Sequence, residues 1–154
     1  WASRAEDRNR LWKMRHDAYY AILASRPGAR AVVTDVCVPI SQLADALMAT
    51  QNDIANSPIP GPILGHVGDG NFHAILLIDP DDATERETAL ELSHLMVARA
   101  IGLGGTATGE HGVGIGKIPY MFEEHGESWS VMSEIKRAMD PGNILNPGKL
   151  CQHN

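Results

Sequence analysis

The amino-acid sequence predicts an α+β fold in which an antiparallel sheet carries helices on one face. Three observations lead to this class. Helical periodicity of the apolar residues recurs in four segments, β-branched runs are few, and two apolar runs flank a short polar turn. Elements in such an order form a small sheet with helices packed against it. The length of 154 residues matches one domain with a single core.

The first elements are a helix and a strand. Apolar residues recur at three- and four-residue steps from Leu11 to Ile22, which predicts a helix over residues 5–25. Pro27-Gly28 ends this helix. The β-branched run 31–38 predicts a strand that stops at Pro39.

A second helix and a hairpin follow. Ser41 is predicted to be the N-cap of a helix that continues through Ile54. Two apolar runs, 63–66 and 72–78, then flank Gly68-Asp69-Gly70-Asn71. Asp-Gly is a favoured pair for a type I′ turn, in which both central residues need positive φ, so these runs are predicted to form a hairpin.

The second half of the chain is predicted to contain two more helices. The segment 79–82, with the sequence Asp-Pro-Asp-Asp, ends the hairpin strand and starts a long helix through Ile101. A glycine-rich loop covers residues 102–116. The last helix is predicted over residues 128–139, and two turns, Asp-Pro-Gly-Asn at 140–143 and Asn-Pro-Gly at 146–148, close the chain.

Composition and charge exclude some classes of partner. The formal net charge is −6, which argues against a nucleic-acid surface and gives no reason to expect binding to anionic lipid. The apolar runs are shorter than a membrane helix. Cys37 and Cys151 are interpreted as free thiols in a reducing compartment. We therefore expect a cytoplasmic protein, at most peripheral to the inner membrane of a bacterium.

The hairpin predicts a candidate metal site. With a two-residue turn at Asp69-Gly70, His66 would lie opposite His73, and paired residues of a hairpin point to the same face. The two imidazoles could then share one metal ion. Val67 and Phe72 would also pair, and they would point to the opposite face, into the core.

Glu110 is the obvious third ligand, because two histidines and one carboxylate form a common open site for Zn²⁺, Mn²⁺ or Fe²⁺. His111 follows Glu110 directly and is a candidate general base. Other interpretations stay open from the residues alone. A histidine pair on a hairpin is more often a packing or surface pair, His111 more often a satisfied loop histidine, and Arg15 a solvated helix charge.

Three segments resemble signatures of one family. Residues 65–73, with the sequence GHVGDGNFH, are similar to the first signature of the FAD-linked oxidase C-terminal domain. Residues 108–114, TGEHGVG, resemble the second, and residues 140–149, DPGNILNPGK, resemble the closing segment. Residues 11–15 resemble the segment that opens the domain. Within the family, residues 34–41 and 73–77 are most similar to the branch of D-lactate dehydrogenases (cytochrome) and glycolate oxidase flavin subunits.

The resemblance implies a ferredoxin-like α+β domain over residues 1–154 that caps an FAD-binding domain of the vanillyl-alcohol-oxidase type. That N-terminal FAD domain is expected to be absent from this chain, which starts at Trp1. The implied activity is oxidation of a D-2-hydroxy acid, with D-lactate the expected substrate. Electrons would pass to a cytochrome or quinone. Without the flavin domain we expect no turnover, and an uncovered apolar face that favours a homodimer.

The resemblance also implies a role for each candidate residue. His66, His73 and Glu110 would ligate a divalent metal, His111 would be the base, and Arg15 would bind the substrate carboxylate. In the closing segment, Asn146 would contact the flavin cofactor.

One position separates this chain from the hydroxyglutarate-type relatives, which carry a lysine for a second carboxylate. The corresponding residue here is Val33, which favours a small monocarboxylate as substrate. Two other functions remain in view: a metal-dependent hydrolase that uses the His-His-Glu site, and a ligand-binding module without chemistry.

Overall fold

The computed structural model describes residues 2–66 and 68–151. Within this part of the chain it has an α+β fold, as the sequence predicts. The α-helices are α1 (Ala5–Ala24), α2 (Leu43–Ala55), α3 (Ala83–Gly102), α4 (Met121–His125) and α5 (Ser128–Met139). The strands are β1 (Arg30–Val33), β2 (Val36–Cys37), β3 (Ile63–His66) and β4 (Asn71–Ile78), and they pair antiparallel.

Strand β4 is the centre of the sheet, and each of the other strands pairs with it. The register of β1, with Arg30 opposite Ile78, continues unchanged into β2, with Val36 opposite Phe72. Both therefore follow the same edge of β4, and β3 pairs with the opposite edge. All eight residues of β4 are buried, as expected for a central strand.

The predicted strand 31–38 is divided in the structure by Thr34 and Asp35. Thr34 still contacts β4, because its hydroxyl accepts a hydrogen bond from the Ala74 N–H at 2.7 Å. The Asp35 carboxylate accepts hydrogen bonds from the backbone N–H groups of a distant loop. A charged side chain in an otherwise apolar run thus marks the division.

The hairpin register differs from the prediction of a two-residue turn. His66 pairs with Asn71, and Leu64 pairs with His73. Among the described residues, Gly70 has a positive φ of 83° but Asp69 does not, so a type I′ turn is not formed. The Asp69 carboxylate instead accepts the Asn71 N–H at 3.1 Å, a local bond that keeps the loop wider.

The widened loop changes one predicted pair directly. Phe72 pairs with Gly65. Its predicted partner Val67, which was expected to point into the core, lies outside the described residues. Phe72 itself is buried, as expected.

The core lies between the sheet and helices α2 and α3. The face of β4 that carries Phe72, Ala74 and Leu76 packs against buried apolar residues of the two helices, including Ala46 and Met96. An ion pair joins the helices to each other, because Arg99 of α3 donates to Asp53 of α2. The predicted arrangement, with helices on one face of the sheet, is therefore found for α2 and α3.

Most helix limits agree with the sequence predictions, but two details differ. The helix predicted from Ser41 begins at Leu43, after a short 3₁₀ turn that contains Ser41, and its N-cap is Gln42. The short helix α4 was not predicted. The segment 79–82 starts α3 as predicted, and the structure shows Asp82 as its cap, accepting hydrogen bonds from the N–H groups of Thr84 and Glu85 at 2.8 and 3.2 Å.

Helices α1 and α5 leave much apolar surface uncovered. Every residue of α1 and of α5, all of them described, is exposed or half-buried. Trp12 is 56% exposed, Tyr20 70% and Met139 78%. Just beyond α1, Arg26 donates to the Leu77 carbonyl and to both oxygens of Glu85 at 2.7–2.8 Å. In the described part of the chain, no helix is both long and apolar enough to span a membrane.

Candidate metal and substrate site

The two strands of the hairpin bring His66 and His73 to one face of the sheet. His66 lies opposite Asn71, and Asn71 and His73 are two residues apart on β4, so all three side chains point to the same side. The predicted pair was directly opposite, whereas the observed pair is diagonal. A register shift by two residues preserves the face, which is why the imidazoles still meet, with ring centroids 6.1 Å apart.

Glu110 lies between the histidines. Its Oε1 atom is 3.0 Å from Nε2 of His73, 3.6 Å from Nε2 of His66 and 3.9 Å from Nε2 of His111. Single ligand atoms of His66, His73 and Glu110 all lie within 4.8 Å of one another, close enough to hold one cation. The structure therefore brings together three residues that are up to 44 positions apart in the sequence.

The backbone selects the tautomer of His73. Its Nδ1 atom lies 2.9 Å from the carbonyl oxygen of Thr34, which can only accept a hydrogen bond. Nδ1 of a neutral His73 therefore carries the proton, and Nε2 presents its lone pair toward Glu110 and His66. Metal-binding histidines commonly have such a partner on the second ring nitrogen.

Asp35 is the buried anion beneath the site. Its carboxylate accepts hydrogen bonds from the backbone N–H of Glu110 at 3.0 Å, from that of His111 at 2.8 Å and from the side-chain amide of Asn71 at 2.9 Å. Burial alone would raise the pKa of Asp35. The hydrogen bonds from His111, Asn71 and Glu110 outweigh that effect, so the pKa lies below its ordinary value and the group is a carboxylate.

A lysine contacts the backbone of Asp35. Lys117, which directly follows the glycine-rich loop, donates from Nζ to the backbone carbonyl of Asp35 at 3.0 Å. Burial lowers the pKa of Lys117, while the negative charges of Asp35 and Glu124 oppose that shift. Lys117 therefore joins the loop to the interrupted strand at the same residue that binds Glu110 and His111.

His111 and Arg15 lie at the rim of the group. The imidazole of His111 stacks on that of His73, with centroids 5.0 Å apart and planes at 11°. The exposed Arg15 places a guanidinium nitrogen 3.4 Å from Nε2 of His66, so α1 reaches the hairpin at this point. Val33 is opposite Ile75 and shares the face of His73, where it is 41% exposed.

Asn146 is the one predicted site residue for which the structure gives no contact with the histidine group. It lies in the closing segment with a positive φ of 47°. There it lines a cavity of about 520 Å³ together with Gly114, Ile135 and Leu145. Gly114 lies only three residues beyond His111, so the cavity adjoins the loop that carries the site.

Sequence reasoning missed Asp35, Asn71 and Lys117. A signal for Asp35 was present: an aspartate in a β-branched run predicted to be a strand needs partners wherever that strand is buried, because an unpaired buried charge is costly. No comparable signal was available for Lys117, whose contact depends on the path of the loop. The roles assigned to His66, His73, Glu110, His111, Arg15 and Asn146 stay predictions.

Fold and site together define an α+β domain with a candidate open site for a divalent cation and an arginine at its edge. A family model described as the C-terminal domain of FAD-linked oxidases matches residues 1–150. The chain therefore belongs to the FAD-linked oxidase family and corresponds to the C-terminal domain of its members.

Individual relatives agree with this family. A probable mitochondrial D-lactate dehydrogenase of Danio rerio is 47% identical, over 99% of this chain and 31% of its own length. A mitochondrial D-lactate dehydrogenase (cytochrome) of Arabidopsis thaliana is 42% identical, over 97% of this chain and 27% of its own length. A glycolate oxidase subunit of Bacillus subtilis is 36% identical, over 97% and 32%. The chain thus spans about a third of these relatives.

A solved structure supports the fold. The 4-ethylphenol oxidase from Gulosibacter chungangensis, in its isoeugenol complex, matches 96% of this chain and 31% of its own with a TM-score of 0.65. At 20% identity this likeness concerns the fold alone.

Proposed function

We propose that the chain is the substrate- and metal-binding domain of a flavin-dependent D-2-hydroxy-acid dehydrogenase, and that D-lactate is the substrate. The observation that carries the proposal is the convergence of His66, His73 and Glu110 on one point, beside a guanidinium and a further imidazole. The names of the D-lactate dehydrogenase relatives support the same substrate.

The donor set fits a divalent cation. Two imidazole nitrogens and one carboxylate oxygen suit Zn²⁺, Mn²⁺ or Fe²⁺ and leave coordination positions open for an oxygen of the substrate. The Thr34 carbonyl supports this fit, since it fixes the proton of His73 on the nitrogen that faces away from Glu110. When bound, the cation would lower the pKa of a substrate hydroxyl.

Arg15 is proposed to bind the substrate carboxylate. A guanidinium offers two parallel N–H groups that match the two oxygens of a carboxylate. Arg15 is exposed, and its guanidinium lies beside His66, so a carboxylate bound there would place the adjacent hydroxyl carbon near the histidine group. The uncharged Val33 on the same face favours a substrate with a methyl group at its other end, such as lactate.

His111 is proposed to accept the proton of the 2-hydroxyl. The backbone N–H of His111 is fixed by the Asp35 carboxylate, and its ring is held parallel to that of His73. Half of the side chain is exposed, so Nε2 is accessible to a substrate. A positioned base of this kind contributes about 10²- to 10⁴-fold to the rate.

FAD is the cofactor of the family, and this chain offers surfaces that fit it. The cavity beside Asn146 and the exposed apolar residues of α5 would suit a flat ring held by another part of the protein. When bound, the flavin would accept hydride from C2 of the substrate. A cytochrome is the proposed final acceptor, in line with the printed names of two relatives.

The metal assignment is tested by binding. Titration of Zn²⁺ or Mn²⁺ into metal-free chain, followed by calorimetry, is expected to give one site that His73→Ala and Glu110→Gln each remove. His94→Ala is the control, because His94 contacts Tyr120 and lies outside the group. Binding that survives in both ligand variants would refute the metal site.

The base and the activity are tested in the flavin-containing protein that includes this chain. His111→Ala is expected to lower kcat for D-lactate about 10²- to 10⁴-fold, with reduction of a dye as the readout. His94→Ala should keep the wild-type rate. Wild-type turnover in His111→Ala would refute the base, and ester hydrolysis without flavin would refute the dehydrogenase assignment.

A further inference from the structure

We infer that Asp35 is a positioning residue: its buried carboxylate fixes Glu110 and His111 relative to His73. The inference rests on the proposed metal site for its functional consequence. It extends that proposal by naming the residue on which assembly of the site depends, although Asp35 itself touches neither metal nor substrate.

The contacts of Asp35 connect three separate parts of the chain. Asp35 interrupts the strand that pairs with β4, and only 2% of its surface is exposed. Oδ2 accepts the N–H groups of both Glu110 and His111, and Oδ1 accepts the side-chain amide of Asn71, which lies on β4. One carboxylate therefore holds the loop against the strand, at the two residues proposed as ligand and base.

The geometry favours this supporting role over direct metal binding. Asp35, His73 and His111 form a second group whose ligand atoms lie within 4.8 Å of one another. However, the His73 nitrogen that lies 3.6 Å from Asp35 is Nδ1, and that nitrogen already donates to the Thr34 carbonyl. Both oxygens of Asp35 are likewise occupied by N–H donors. Nε2 of His73 faces Glu110 instead, at 3.0 Å.

Asp35→Asn is the direct test of this arrangement. The asparagine side chain has an NH₂ group in place of one carboxylate oxygen. An NH₂ group cannot accept a hydrogen bond from a backbone N–H group, so at least one of these hydrogen bonds is lost. The displaced loop moves Glu110 away from His73. Loss of a partner that orients a metal ligand typically lowers metal affinity about 10- to 100-fold, which is the expected effect on Zn²⁺ binding.

Asp140→Asn is the matched control. Asp140 is also a buried carboxylate that accepts two backbone N–H groups, those of Ile144 and Leu145, but it does so in the closing segment. Both substitutions remove a charge-assisted loop contact and destabilise the chain. Only the change at Asp35 should alter metal affinity, and Asp140→Asn should stay within about twofold of the wild type.

Two measurements on the purified chain separate the possible outcomes. Zn²⁺ affinity is measured by calorimetry, and exchange of the Glu110 and His111 amide protons is measured by NMR without metal. In Asp35→Asn at least one of the two amides should exchange at least about tenfold faster, because an NH₂ group replaces one of the two acceptor oxygens. If the asparagine variant does not fold, the same two measurements are made on Asp35→Glu, which keeps the charge but moves the carboxylate by one methylene.

The results decide the two proposals separately. Zn²⁺ binding 10- to 100-fold weaker, with faster amide exchange, supports the positioning role. Unchanged affinity or unchanged exchange overturns it and leaves the metal site standing. Affinity lost by more than about 1000-fold would identify Asp35 as a ligand, which also overturns it. If the wild type binds no metal, the metal proposal fails, and amide exchange alone then supports or overturns the role of Asp35.

Discussion

A side chain at position 109 would enter space that Asn71 and Asp35 already fill. The Cβ atom of an alanine there would lie 1.8 Å from the amide nitrogen of Asn71 and 2.7 Å from Oδ1 of Asp35. Ordinary van der Waals contact begins near 3.4 Å, so the Asn71 amide must move by about 1.6 Å and the Asp35 oxygen by about 0.7 Å. Movements of this size break hydrogen bonds that are now 2.9–3.2 Å long.

The expected cost of Gly109→Ala follows from the bonds that it breaks. A hydrogen bond to a charged group contributes about 1.5–3 kcal/mol, and at least one of those to Asp35 is lost. For one lost bond, we expect the free energy of unfolding to fall by about 1.5–3 kcal/mol. For a chain of this size, that corresponds to a melting temperature lower by roughly 3–12 °C.

Thermal unfolding followed by circular dichroism measures this loss, with Gly116→Ala as the control. Gly116 belongs to the same glycine-rich segment, but a Cβ atom there meets nothing within 4 Å. The control should therefore melt within about 2 °C of the wild type. If Gly109→Ala melts with the control, the close approach of the loop to Asn71 and Asp35 is wrong, and so is the packing inferred for the site.

Three further predictions concern acid stability, substrate choice and a helix cap. The Lys136 hydrogen bond, with those from two backbone N–H groups, holds the pKa of Asp140 at about 2, against an ordinary 3.8. This contribution to stability is present above 3.8 and is lost as the pH falls toward 2, so Asp140→Asn should flatten the acid dependence of urea unfolding. In the flavin-containing protein, Val33→Lys should raise kcat/KM for 2-hydroxyglutarate relative to D-lactate about 10- to 100-fold, and an unchanged ratio would contradict the proposed orientation. Asp82→Ala should cost about 1 kcal/mol in chemical denaturation, and a neutral result would show that the bonds to Thr84 and Glu85 contribute little.

The sequence pattern was sufficient to predict those helix limits that depend only on residues close by in the sequence. Helix α5 begins and ends where the periodicity predicts, and α3 begins at its aspartate cap. The predicted turn was wrong, yet the prediction that His66 and His73 share one face of the sheet was correct. The true register is shifted by two residues, and alternate residues of a strand share a face.

The site beyond the hairpin depends on contacts that periodicity does not describe. Glu110 and His111 are brought to β4 by hydrogen bonds to Asp35, which is 75 positions away from Glu110 in the sequence. The close approach at Gly109 and the contact of Lys117 depend on the same path of the loop. Contacts between residues so far apart in the sequence are decided by tertiary packing. From the sequence alone, Glu110 could therefore be proposed as a ligand, but its position beside the histidines could not be derived.

The uncovered helix α1 has a mechanical consequence. Arg26 attaches the end of this helix to the sheet, and Arg15 lies eleven residues earlier, at the histidines. At 1.5 Å per residue the distance between them is about 16 Å, so a tilt of about 10° at the attached end shifts the guanidinium by roughly 3 Å. A shift of that size is enough to break a hydrogen bond to a carboxylate, the ligand proposed for Arg15. Contacts made by the exposed Trp12 and Tyr20 would restrict this tilt, and they would therefore also fix the position of the guanidinium.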